Sequence, residues 1–204
     1  EICEEIELKV YGKIMNNAYY AEETFNGTDF TIEPFETGDY EKCRFMNCRF
    51  ANANLAECNL IDCEFVDCDL SNANLAGLSI RNSEFSNCKM VGLQFNHCTK
   101  FGFSATFKSC NLNFASFFNL DITRCSFDDC QLQDVDFSQA VLTGVAFEYC
   151  DFAKATFSST TLLRTDLRSS FNFVIDPERN QIRGAQFSMQ GLPGLLEKYN
   201  IVVG

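Results

Sequence analysis

The sequence predicts an all-β coil assembled from one short repeat, on three observations. An apolar residue recurs at every fifth position, a small residue precedes it by two, and all three prolines (Pro34, Pro177, Pro193) lie outside the stretch over which both rules hold. Neither 3.6 nor 2.0 divides into a period of five, so the pattern belongs to no amphipathic helix and no ordinary strand. A fixed internal period takes precedence over any local reading, because it sets the architecture.

The beat runs through Phe45, Phe50, Leu55, Leu60, Phe65, Leu70, Leu75, Ile80, Phe85, Met90 and Phe95. It restarts at Phe107 and continues through Leu112, Phe117, Ile122, Phe127, Leu132, Phe137, Leu142, Phe147, Phe152, Phe157, Leu162 and Leu167. With 46% apolar residues in the chain, chance would produce such a run on the order of once in a hundred million. Two residues before most centres a small residue stands: Cys43, Cys48, Ala53, Cys58, Cys63, Cys68, Ala73 and, later, Cys110, Ala115, Cys125, Cys130, Ala140, Cys150 and Ala155. A spacing of two puts small and large residues on the same side of an extended segment. Each pentad therefore buries two residues and turns three outward. Coiling lets it do so repeatedly while backbone groups pair between turns.

The motifs Ala53-Asn54-Leu55-Ala56-Glu57, Cys68-Asp69-Leu70-Ser71-Asn72 and Ala73-Asn74-Leu75-Ala76-Gly77 resemble the pentapeptide-repeat proteins over roughly residues 41–170. The resemblance implies a right-handed quadrilateral β-helix with four pentads per coil. Sorting every fourth centre supports four sides independently. One column reads Phe45, Phe65, Phe85, Phe107, Phe127, Phe147, and another Leu60, Ile80, Ile122, Leu142, Leu162. Stacked rings gain about 0.5–1.5 kcal/mol per pair beyond burial. From Phe95 to Phe107 the chain spends twelve residues where two pentads need ten. The two extra residues predict a bulge within 97–103, centred on Phe103, on the aliphatic face.

Eleven of the twelve cysteines occupy the small position, Cys98 just before the bulge; Cys3 alone does not. Cys48, Cys68, Cys88, Cys110, Cys130 and Cys150 form one file at the coil spacing of about 4.8 Å. Parallel in-register side chains supply neither the short Cβ–Cβ distance nor the opposed vectors of a disulfide. Nor do they converge on a point as zinc requires. These residues read as small buried hydrophobes, with no metal or cofactor, and so many unpaired thiols imply a reducing compartment, the cytoplasm.

Three segments follow. Residues 1–24 read as an N-terminal cap of undetermined structure, carried on a strongly acidic stretch: residues 1–40 hold ten acids against Lys9 and Lys13. Residues 25–187 form the β-helix, opening on Phe25, Phe30, Phe35 and Tyr40 and resuming at Ile182 and Phe187 after a break near Pro177. Residues 188–204 form a C-terminal helix and short strand. Ser188 is its N-cap, Leu192, Leu195, Leu196 and Tyr199 fall on one face, Asn200 stops it, and Ile201–Val203 is extended. The ending is similar to the dimerising tail of the quinolone-resistance branch of the family, whose members bind DNA gyrase. That resemblance implies a homodimer through Leu192, Leu195, Leu196, Tyr199, Ile201 and Val203. The alternative is a helix that only plugs its own coil. The chain starts at Glu1 rather than Met, which leaves room for a trimmed leader.

Composition excludes several functions. The net charge of −12 argues against direct nucleic-acid binding, no apolar run reaches the roughly 18 residues of a membrane span, and a single His97 removes mechanisms that need a histidine pair. With no phosphate loop and no catalytic constellation, the reading is non-enzymatic. Two roles remain. The resemblance implies a DNA-mimicking modulator of gyrase, for which Glu64, Asp67, Glu84, Asp128, Asp129 and Glu148 supply an acidic stripe on the Phe face. Against it, residues 41–170 carry only fifteen acids and eleven bases. The alternative is a rigid scaffold for an unidentified partner, for which outward Phe101, Phe114 and Phe118 supply an apolar patch, with Val66, Val91 and Tyr149 also facing out.

Overall fold

The computed structural model describes residues 18–201. Its strands follow in chain order: β1 (Ala18–Ala21), β2 (Thr24–Asn26), β3 (Gly38–Glu41), β4 (Arg44–Met46), β5 (Asn59–Ile61), β6 (Glu64–Val66), β7 (Ser79–Arg81), β8 (Ser83–Ser86), β9 (Ala105–Lys108), β10 (Ser126–Asp128), β11 (Phe147–Glu148), β12 (Asp166–Leu167) and β13 (Gln186–Phe187). All pair in parallel with the strand one coil away, giving a β-solenoid of about eight turns. Strands β2, β4, β6, β8, β9, β10 and β11 make the first face, and β1, β3, β5 and β7 the fourth. The second and third faces are held by single bridges, such as Arg49 to Asp69 and Asn54 to Asn74.

The core is the pair of files read from the sequence. Phe25, Phe45, Phe65, Phe85, Phe107, Phe127 and Phe147 stack with ring centroids 4.6–5.4 Å apart. A second ladder joins Phe95, Phe117, Phe137 and Phe157 on the third face. The two residues that follow each centre turn the corner, and the second of them takes a left-handed backbone: Asn47, Asn52, Asp62, Asp67, Asn72, Gly77 and Gly92 all have φ between +52° and +74°. Asn, Asp and Gly tolerate this region best. Their recurrence two places after each centre was a readable signal for the corners.

The stack starts earlier than expected. Ala18–Ala21 already pair with Gly38–Glu41, so part of the segment assigned to the cap is a rung of the fourth face; residues 1–17 lie outside the described residues. The bulge also differs in detail. Phe103 is buried in the aliphatic column, and the apex is Lys100–Phe101–Gly102, with Phe101 82% exposed. The backbone regains register at Ser83↔Ala105. Between Thr99 and Ser104 the backbone of the rung holds on to the preceding coil at its two ends only, through Thr99 N–H to Leu78 O, just before β7, and Ser104 N–H to Ile80 O within it. No backbone hydrogen bond joins residues 99–104 to residues 120–125; the fourth-face ladder resumes with Asp121, Val141, Thr161 and Gln181.

The C-terminal helix is shorter than the expected run. Helix α1 spans only Pro193–Leu196, between 3-10 turns at Met189–Gly191 and Glu197–Tyr199. Two glycines explain its position. A Cβ on Gly194 would lie 2.0 Å from Phe173 O, and one on Gly191 2.4 Å from the Phe173 ring, so the tail sits directly on that buried ring and closes the stack. Ser188 Oγ accepts from Gly191 N–H at 3.1 Å, and Asn200 ends the segment at φ +50°. Of the extended piece expected at 201–203, Ile201 is not in a strand, and residues 202–204 lie outside the described residues.

Candidate interaction surface

Eleven cysteines are buried and unpaired, and Cys3 lies outside the described residues. Their position has more chemistry than hydrophobic size. The Cys68 thiol donates toward Phe45 O (3.3 Å), Cys88 toward Phe65 O (3.5 Å), Cys110 toward Phe85 O (3.3 Å) and Cys130 toward Phe107 O (3.5 Å). Ser170 continues this file and donates to Phe147 O at 2.9 Å, and in the same position before other centres Thr160 and Thr165 donate to Phe137 O and Leu142 O at 2.9 and 2.8 Å. The slot is a small side chain able to reach a carbonyl of the preceding coil. Burial pushes the Cys63 thiol up to about 11 and the Cys98 and Cys125 thiols to about 12, far from the range of a nucleophile. No group of three or more His, Cys, Asp or Glu among the described residues is arranged to hold a metal ion.

The six residues of the acidic stripe share the first face, in three files. Glu64 and Glu84 follow Arg44 in one file, and Asp128 and Glu148 follow Lys108 in the next. Asp67 and Asp129 stand at the corner with φ of +54° and +52°. The stripe is partly neutralised. Arg44 Nε reaches Glu64 at 2.7 Å and Lys108 Nζ reaches Glu84 at 2.8 Å. The Lys108 ammonium holds the Glu84 carboxyl below its usual range. Asp67, Asp128, Asp129 and Glu148 make no ion pair among the described residues. The second face carries a feature that the sequence reading missed, a ladder of alternating sign through Asp29, Arg49, Asp69 and Lys89. It pairs at 3.0 and 3.4 Å. The strict spacing of twenty residues was its signal.

The three candidate phenylalanines do not assemble. Phe101 is on the fourth face, Phe118 follows the third-face centre Phe117, and Phe114 stands at the corner before it; no ring pair forms among them among the described residues. Phe114 is 59% exposed with φ +61°, and Tyr149 is 63% exposed with φ +53°. Both put a bulky ring where the backbone favours Asn or Gly. Val66 and Val91 are only half-exposed.

At the tail, the residues expected to share one face divide. Leu195 packs against the core, while Leu192, Tyr199 and Ile201 remain exposed along with Met189. Leu196 is half-buried, and Val203 is outside the described residues. Lys198 Nζ clasps Asp176 (2.6 Å) and Glu178 (2.7 Å), and Tyr199 Oη donates to Glu178 at 2.9 Å.

Comparison with known proteins agrees with this geometry. Family profiles match residues 38–117, as a pentapeptide repeat region, and residues 136–170, as pentapeptide repeats. No curated protein sequence matches. Among solved structures, the chain is similar to a trypsin-treated variant of QnrB1, a plasmid-mediated fluoroquinolone resistance protein, at 24% identity over 92% of both chains with a TM-score of 0.57. HetL, a pentapeptide-repeat protein involved in heterocyst differentiation regulation in the cyanobacterium Nostoc, matches at 13% identity over 91% of this chain and 93% of its own, with a TM-score of 0.41. The repeat profiles, the four-sided parallel stack and the paired files of small and large core residues together make this chain a member of the pentapeptide-repeat family.

Proposed function

We propose that the chain is a non-enzymatic rod that binds a partner protein. The observation that carries this reading is the placement of Phe114 and Tyr149 at exposed left-handed corners. An L-residue with a bulky side chain gives up roughly 1–2 kcal/mol in that region, and exposing the ring recovers nothing inside the chain. Strain kept at an exposed site is the mark of an external use. The test is photo-crosslinking from benzoylphenylalanine placed at position 114 in the native host. Discrete protein adducts are expected; a control at Asn72, a corner of the same column, should give none. Equal or absent adducts at both positions would overturn the reading.

A more specific reading is modulation of a topoisomerase through the first face. It is supported by the four unpaired acids Asp67, Asp128, Asp129 and Glu148, and QnrB1, whose fold is shared, is a fluoroquinolone resistance protein. The ion pairs at Glu64 and Glu84 weaken it, because they remove two of six charges from the face that would mimic a phosphate backbone. In a gyrase supercoiling assay, the parent should inhibit or protect against a quinolone, and the Asp67→Asn, Asp128→Asn, Asp129→Asn, Glu148→Gln variant should lose the effect. No effect of the parent at micromolar concentration would remove this version and leave the rod.

The exposed Met189, Leu192 and Ile201 support a homodimer through the tail, with Leu195 reserved for the cap. Unpaired thiols throughout the core support a reducing, cytoplasmic location. No helix among the described residues is long and apolar enough to cross a membrane.

A further inference from the structure

We propose that the cleft at the interrupted rung of the fourth face binds an acidic peptide segment of a partner protein, with Phe101 as its apolar anchor. The inference rests on the protein-binding reading above and names the chemistry of one site on the rod. The cleft encloses about 520 Å³ between the bulge and the next coil, lined by Arg81, Lys100, Phe101, Gly102, Asp121 and Arg124 among others. It exists because the two inserted residues break the ladder. Among the described residues, Asp121 N–H and the carbonyls of Phe101 and Phe103 have no hydrogen-bond partner within the chain. An extended peptide is the ligand that such backbone groups can pair with.

Charge selects the kind of peptide. On the first and second faces, Arg44 and Arg49, Lys89 and Lys108 each hold a carboxylate. Arg81, Lys100 and Arg124 hold none among the described residues, although the chain has twelve more acids than bases. Lys100 Nζ instead donates to Asn119 O at 2.9 Å, and Arg81 runs beneath Gly102, whose added Cβ would lie 3.7 Å from Arg81 Nε. The one carboxylate in the lining, Asp121, is occupied by Thr123 N–H at 3.0 Å and Thr123 Oγ1 at 2.7 Å. Three free cations around an 82% exposed ring match two or three carboxylates flanking an apolar side chain. A nucleic acid fits less well. Its charge extends beyond a Debye length of about 8 Å, where it meets the acids of the rest of the chain, whereas a short acidic segment senses the cleft alone.

The test is selection of displayed random twelve-residue peptides on the full chain, followed by titration of the best synthetic peptide. Enriched peptides should carry at least two Asp or Glu residues within four positions of a Leu or aromatic. Their Kd should rise at least tenfold for Lys100→Gln/Arg124→Gln and for Phe101→Ser, and stay unchanged for Arg49→Gln/Lys89→Gln on the second face. Thermal melting of the cleft variants should match the parent, since these side chains are exposed and hold no carboxylate among the described residues, and the second-face control should melt slightly earlier for the loss of its two ion pairs. A twenty-nucleotide single strand and a twenty-base-pair duplex should bind more weakly than the peptide. No enrichment, enrichment without acidic bias, indifference to the cleft variants, or tighter binding of the DNA probes would overturn the proposal. Adducts at position 114 together with any of those results would leave the rod standing and remove only the cleft.

Discussion

The first and fourth faces are built from the same pentad, yet they differ in two ways that go together. On the first face seven strands pair without interruption and the bases Arg44 and Lys108 are matched to acids one coil away. On the fourth face the ladder stops at β7, resumes at Asp121, and leaves Arg81, Lys100 and Arg124 unmatched. The reason is geometric. Register at a period of twenty brings outward residues of successive coils opposite each other, so a base and an acid twenty residues apart meet directly, as Arg49 and Asp29 do. Two inserted residues displace the rung at 99–104 and remove that opposition there, while Arg81 stands opposite Ile61 and meets no acid in the register. A solenoid is thus a sum of nearest-neighbour interfaces, and a single defect changes one interface while the rest of the column continues.

Four experiments break or sharpen this contrast. The largest effect is expected in the core. Phe85→Ala removes a ring stacked on both sides, 4.8 Å from Phe65 and 5.4 Å from Phe107, and should cost about 3–5 kcal/mol in urea unfolding. Phe103→Ala should cost measurably less, because its only ring contact among the described residues is edge-on to Phe95 at 6.0 Å; equal losses would mean that the interrupted rung packs as tightly as the continuous one. Next comes local opening. Native-state thiol labelling should reach Cys98, which underlies the bulge, at least about tenfold before Cys88, a difference of about 1.4 kcal/mol in opening free energy. Labelling in the reverse order would place the weakest rung elsewhere.

A smaller effect, of opposite sign, is expected at the corners. Phe114→Asn should raise stability by about 1 kcal/mol, since Asn accepts the left-handed backbone that Phe resists. A loss of stability would mean that the ring is repaid within the chain. The smallest effects concern surface charge. Lys108→Gln should cost a small but measurable stability at neutral pH, while Arg124→Gln, which breaks no ion pair among the described residues, should leave stability unchanged. The sign with pH follows from the depressed Glu84 carboxyl. Its contribution is present above the ordinary carboxylate pKa and is lost as pH falls through the lowered folded value. The Lys108→Gln penalty should therefore fade as pH falls through that lowered value, and a penalty that persists in strong acid would show that the ammonium acts through packing instead.

Much of the fold was legible because the repeat is strict. The period of five, the columns of twenty and the small residue two places before each centre are one-dimensional facts, and each maps to a single place in the coil. The acidic stripe was legible as a face for the same reason. The pairing of Glu64 with Arg44, directly opposite it, follows from the same register; that of Glu84 was less legible, since it depends on Lys108 reaching diagonally past Ser86, which stands opposite it in the register. The thiol-to-carbonyl bonds were missed because Cys was weighed against Ala alone, although Thr160, Thr165 and Ser170 in the same slot point to a donor.

What the sequence determined by itself was the coil, its four sides, its core files and the site of the defect, because a periodic chain can bury its centres in only one way. Tertiary structure alone decided what the defect does. That Phe103 returns to the core while Phe101 stands out depends on Thr99 N–H and Ser104 N–H finding the carbonyls of Leu78 and Ile80, and on Ser104 Oγ accepting from Asn82 N–H at 2.8 Å. Sequence counts the two extra residues. Only the competition among backbone hydrogen bonds, side-chain volume and the neighbouring coil determines which residue the chain expels.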